Sequence, residues 1–108
     1  MPYIVSSVTY PTDLAQETTQ KYFEMLKQFP FDRSLGKETI PVAVTTNSKG
    51  IKSVSVMEVK EEKLGEALTW AGKRLALFLD IKGVEYKNRV WSTIVEALET
   101  IGLKLPGQ

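Results

Sequence analysis

Four residues near the end of the chain, Tyr86, Asn88, Arg89 and Trp91, lie close enough in sequence to form a small-molecule contact. A tyrosine hydroxyl both gives and accepts a hydrogen bond, and a planar guanidinium grips a carboxylate with two parallel bonds. A tryptophan adds a broad apolar wall whose face also attracts cations. In an extended strand, Tyr86 and Asn88 leave one face while Arg89 and Trp91 leave the other. Both pairs line one cavity only where a bulge or a sheet edge intervenes. The plainer reading is an edge strand on which the Arg89 stem lies along the Trp91 ring in water.

Two further groups have chemical use. Ser53, Ser55 and Met57, together with Ser6 or Ser7, offer small hydroxyls and one adaptable thioether on a sheet face. Such a face leaves room for a ligand and supplies a few orienting hydrogen bonds, although small residues also simply let a helix pack closely. The stretch Phe31-Asp32-Arg33-Ser34-Leu35-Gly36 is apolar enough for a lid or a dimer-locking arm. Trp70 falls off the main apolar stripe of its helix and needs another apolar surrounding. A ligand pocket is therefore expected between the sheet and the second helix, near Met57, Trp70, Tyr86, Arg89 and Trp91.

Much other chemistry is excluded. The 108 residues contain no cysteine and no histidine, which removes thiolate nucleophiles, iron–sulfur clusters, cysteine zinc sites and the commonest general base and metal ligand. No glycine-rich phosphate loop, HExxH or nucleophile elbow is present. The pairs Glu61-Glu62 and Glu96-Glu99 belong to helix starts and surfaces, where carboxylates complement the helix dipole. No metal and no cofactor is expected, and no catalytic residue is assigned. With 14 basic against 13 acidic residues, net charge +1, there is no general attraction to nucleic acid or to an anionic membrane. The first residues lack a basic region and a long apolar run, and no stretch approaches the ~20 apolar residues of a membrane span. A cytoplasmic protein is expected. At 43% apolar residues, the chain fills one core, so residues 1–108 are read as one domain.

The elements that must position these groups follow from periodicity. Tyr3 to Tyr10 is β-branched and aromatic and stops at Pro11, a strand. Asp13 with Gln16 resembles a capping box, and Leu14, Thr18, Tyr22, Met25, Leu26 and Phe29 then recur at helical spacing. Residues 30 to 41 read as a long loop, followed by a short strand from Val42 to Thr46. Asn47-Ser48-Lys49-Gly50 is turn chemistry, and Ile51 to Val59 completes a hairpin. A second helix starts near Glu61, its stripe formed by Leu64, Ala67, Leu68, Ala71, Leu75, Phe78 and Leu79. A strand from Val84 to Trp91 follows. Thr93 with Glu96 caps a short helix, Ile94 to Ile101, closed by Gly102.

This β-α-β-β-α-β-α order is the α+β, split βαβ plan: a four-stranded antiparallel sheet, two helices on one face and a short C-terminal helix. Over residues 3 to 92, its length, order and central hairpin resemble the ferredoxin-like proteins of the dimeric α/β-barrel superfamily. The resemblance implies that sheets of two chains close face to face and that small molecules bind between sheet and helices. Its members include cofactor-independent monooxygenases, isomerases, cyclases, haem enzymes and ligand-sensing domains. The haem members and several isomerases and cyclases use a histidine, which this chain lacks.

A physical argument also points to a homodimer. Val54 and Val56 leave one face of the third strand, while Ile51, Ser53, Ser55, Met57 and Val59 leave the other, and neither set resembles a solvated face. Two covered faces in so small a chain imply a second copy, joined through sheet faces with help from the second helix. The function expected is the binding of a small, largely apolar molecule. The competing readings are a cofactor-independent monooxygenase or isomerase, using Tyr86, Tyr10, Asp80, Glu58 or Arg89 for proton handling, and a pure dimerisation or regulatory module.

Overall fold

The computed structural model describes residues 1–107. Its strands are β1 (Tyr3–Tyr10), β2 (Gly36–Asn47), β3 (Gly50–Val59) and β4 (Glu85–Trp91), and its helices are α1 (Ala15–Gln28), α2 (Leu64–Ala76) and α3 (Ile94–Glu99). The strands form one antiparallel sheet in the order β2-β3-β1-β4. This is the ferredoxin-like βαββαβ topology expected from the sequence, with α3 added.

Register decides which side chains face the helices. Ile4 lies opposite Met57 and Val90, Ser6 opposite Ser55 and Asn88, and Val8 opposite Ser53 and Tyr86. Because strand side chains alternate, these residues share the face that holds the fully buried Ile4 and Val59. Two apolar clusters fill the space above it. One gathers Ile4, Leu35, Met57, Val59, Ala67 and Ala71, and the other gathers Val8, Tyr10, Met25, Leu75, Phe78 and Ile81. Ala67, Ala71 and Leu75 are spaced by four along α2, the repeat that keeps one helical stripe against a sheet. Their small size at two of three positions lets the helix approach closely.

Several boundaries differ from the sequence reading. β2 begins at Gly36 instead of Val42, so half of the expected loop is strand. Pro41 lies inside it, on an edge strand, within the second of two register shifts at Glu38/Ile40 and Ile40/Ala43. A proline is tolerated at such irregular edge positions, where its missing N–H breaks no ladder. Gly36 is required: a Cβ there would collide with the Glu58 carbonyl oxygen across the ladder. Asp13 and Gln16 form no capping box. Thr12–Leu14 instead make a 3-10 turn, in which the Leu14 N–H donates to the Pro11 carbonyl at 3.0 Å. A similar turn, Glu61–Lys63, precedes α2, and a third, Leu77–Asp80, follows it. The tightening after Ala76 leaves Leu79, expected on the stripe, exposed, while Leu77 packs against the core. The Thr93 box is present: the Glu96 N–H donates to Thr93 Oγ1 at 3.1 Å, and the Thr93 N–H donates to Glu96 Oε1 at 2.8 Å.

The molecule is flat and extended, 48 × 32 × 18 Å. Its radius of gyration, 15.6 Å, exceeds the roughly 13 Å of a compact chain of this length. Its accessible surface, 7174 Å², exceeds the ~6,000 Å² typical of a 12.1 kDa monomer. Both excesses have one origin. The hairpin of β2 and β3 carries β2 beyond the helices, and α1 leans on the 3-10 turn at 77–80 without packing extensively against α2.

Candidate functional site

The separation of α1 and α2 leaves a cavity of about 460 Å³ between the sheet and the helices, open beneath β2. That volume lies within the roughly 300–1,000 Å³ of small-molecule sites. Ser6, Ser53, Ser55 and Met57 form its floor, and Thr18 and Tyr22 of α1 face Trp70 and Arg74 of α2. Three serines in place of larger residues leave the floor low. Ile40, Val42 and Val44 of β2 form an exposed apolar lip.

Polar groups in the cavity are few and specific. The Arg74 guanidinium carbon stands 4.5 Å from the centroid of the Trp70 ring, a cation–π contact between residues one helical turn apart. Phe31 meets the same ring edge-on, with centroids 5.7 Å apart and planes at 87°. Arg74 Nε is buried with no hydrogen-bond partner. Burial lowers the Arg74 pKa from its ordinary value, opposed by the nearby Glu38 carboxylate and by Tyr22. Thr18, only 3% exposed, holds a buried Oγ1 that also lacks a partner. Tyr10 lines the cavity as well, and burial raises its pKa above the ordinary phenol value. The Ser6 hydroxyl is already engaged, donating to Asn88 Oδ1 at 2.9 Å.

Of the five residues expected at the site, Met57 and Trp70 line the cavity. Tyr86 shares the helix face but packs into the second core cluster, opposite Val8, and does not reach the lining. Arg89 lies opposite Val5 and Trp91 opposite Tyr3, on the far face of the sheet, and Trp91 is 55% exposed. The β1–β4 register runs without a shift, so no bulge turns Arg89 or Trp91 back, and the structure does not bring the five together. The cation in the cavity is Arg74. Its signal in the sequence is the spacing: four residues after Trp70 and one before Leu75, it stands at the margin of the buried stripe.

The groups considered for proton handling are also dispersed. Asp80 is exposed and accepts from Lys21 Nζ at 3.0 Å, outside the cavity. Glu58 pairs in register with Tyr3 and Lys37 on the far face, where Arg89 also lies. Of the two residues expected to cover a pocket mouth, Phe31 lines the cavity and meets Trp70, whereas Leu35 is buried in the first core cluster and does not reach the lining.

Fold and cavity together define a ferredoxin-like α+β domain with a largely apolar hollow between its sheet and helices. The sequence matches no protein-family model and no curated protein. Among solved structures, the chain is similar to the uncharacterised protein TM1266 from Thermotoga maritima, with 15% sequence identity and a TM-score of 0.44 over 82% of this chain and 94% of that one. Among the described residues, no helix is long and apolar enough to cross a membrane.

Proposed function

We propose that this chain binds a small, largely apolar molecule in the cavity between the sheet and its two main helices. The carrying observation is the cavity itself: about 460 Å³, lined mainly by apolar side chains with a few separate polar atoms, the usual make-up of a small-molecule site. Binding is favoured over proton-transfer chemistry because Asp80, Glu58 and Arg89 lie outside the cavity. The test uses a fluorescent fatty-acid analogue with the Trp91→Phe protein, in which Trp70 is the single tryptophan reporter. Quenching of Trp70 with a rise in unfolding temperature is expected, since a ligand that binds only the folded state stabilises it by mass action. Unchanged emission and no stabilisation at millimolar probe would remove this reading.

A specific observation favours association as well. The face of the sheet away from the helices presents Val5, Val54, Val56 and Trp91, bordered by Lys52, Glu58, Lys87 and Arg89. The accessible surface exceeds that of a typical monomer by an amount comparable with the ~800 Å² per partner buried in a stable interface. Two copies joined through these faces account for the excess. Sedimentation equilibrium at micromolar concentration should then give twice 12.1 kDa, and Val54→Lys should shift the protein to monomer without loss of helix signal. A single 12.1 kDa species for the unmodified protein would exclude the pairing.

A further inference from the structure

We propose that the molecule held in the cavity is an organic monocarboxylate, with its carboxylate taken by Arg74 and its apolar body lying over the floor of the sheet. The inference rests on the binding reading above and narrows it to a chemical class. Arg74 is the starting point. Among the described residues, no carboxylate lies within ion-pairing distance of its guanidinium, and its Nε is buried without a partner. A half-buried cation whose Nε is out of water and unpartnered is electrostatically incomplete, because desolvation is offset only by pairing and hydrogen bonding. Stacking on Trp70 holds the guanidinium in a defined place instead of letting it extend into water. A planar fork held in place is the arrangement that recognises a planar carboxylate.

A second unsatisfied atom belongs to another residue that lines the same space. Thr18, on the opposite helix, lines the cavity at 3% exposure with an unpartnered Oγ1. A helical threonine can satisfy this oxygen on a carbonyl of the preceding turn; Thr18, in the first turn of α1, does not, so a small rotation of its side chain would offer a ligand oxygen an unsatisfied donor. The rest of the lining, including Ile4, Val8, Met25, Met57 and Leu75, is apolar and calls for a hydrocarbon or aryl body.

Charge sets the limit on the head group. Glu38 stands at the rim close enough to act on the charge of Arg74, so the site offers one cation already partly neutralised at a distance. A phosphate carrying nearly two charges would face repulsion from Glu38 and would need more donors than Arg74 and Thr18 supply. A carboxylate, singly charged and planar, fits both counts.

Decanoate and decanol provide the test, titrated at pH 7.4 into the full chain carrying Trp91→Phe, with Trp70 emission and unfolding temperature as readouts. Decanoate is expected to bind at least about tenfold tighter than decanol. Arg74→Met should abolish that preference while leaving decanol binding in place, and Arg74→Lys should restore part of it. Equal affinities for the acid and the alcohol, or a preference that survives Arg74→Met, would overturn the carboxylate assignment and leave the apolar site standing. Absence of any response to either probe would overturn both. If Arg74→Met fails to fold, the acid-to-alcohol ratio in the Arg74 protein decides alone.

Discussion

Arg74 and Trp70, one turn apart on α2, stack with the guanidinium carbon 4.5 Å from the ring centroid. The contact joins the charged part of the cavity to its apolar part, since the same indole ring receives the edge of Phe31 from the segment before β2. A change at Phe31 should therefore be felt at Trp70.

Phe31→Ala removes an edge-to-face aromatic contact and part of a buried surface. The expected cost is about 1–3 kcal/mol in urea unfolding, with a red shift of tryptophan emission as Trp70 meets water. An unchanged emission maximum would show that this segment does not cover the ring.

Leu75 and Leu68 both belong to the apolar stripe expected of α2, but they differ in depth. Leu75 is 4% exposed within the second core cluster, whereas Leu68 is only partly buried against the first. Leu75→Ala should cost ~2–5 kcal/mol and Leu68→Ala roughly 1–2 kcal/mol. Urea midpoints that reverse this order, at constant slope, would mean the helix is rotated from its observed setting.

Two glycine replacements should have opposite signs. Gly72 lies inside α2 with open space where a Cβ would stand, so Gly72→Ala should stabilise by ~0.5–1 kcal/mol through helix propensity. At Gly36 the Cβ would meet the Glu58 carbonyl oxygen, and Gly36→Ala should cost more than about 1 kcal/mol. Thermal unfolding of both proteins beside the parent reads the signs directly.

The start of α3 should loosen in acid. The Thr93 N–H holds the Glu96 carboxylate below its ordinary pKa, with the Thr93 hydroxyl and the Met1 amine, 3.4 Å away, adding to the effect. A pKa lowered by folding means that the associated stabilisation is full above the unfolded value and is lost as pH falls through the folded one. The cap should thus hold at neutral pH and weaken progressively below about pH 4.5. Carbon-detected titration of the Glu96 carboxyl should give a midpoint below the ordinary glutamate value, and Thr93→Ala, which removes the hydroxyl but keeps the backbone N–H, should raise it only in part.

Legibility in the sequence varied with how locally each feature is determined. β1, the turn at Asn47–Gly50 and the Thr93–Glu96 box are written in adjacent residues, and the fold order follows from them. The first half of β2 was hidden because Lys37, Glu38 and Thr39 are polar and Pro41 interrupts the run, a pattern that an exposed edge strand permits and a central one does not. At the cavity, Met57 and Trp70 were legible from apolar type and position. Arg74 was passed over because, beside Lys73, it reads as part of a solvated helix end, although its place one residue before Leu75 puts it at the margin of the buried stripe. Arg89 drew attention through its neighbour Trp91, yet strand alternation places both on the far face. Parity, visible in the sequence, was the better guide there than proximity.

The irregular course of β2 has a consequence for how copies of this chain can assemble. A straight outer strand presents a continuous row of unsatisfied amides and carbonyls, onto which another chain can add indefinitely. Here Pro41 lacks an amide hydrogen, and two register shifts flank Ile40, so the row is broken near its middle. The other border, β4, is only seven residues long and carries Glu85, Lys87 and Arg89. Both borders are therefore poor templates for strand addition, and endless growth of the sheet from one copy to the next is disfavoured at either side.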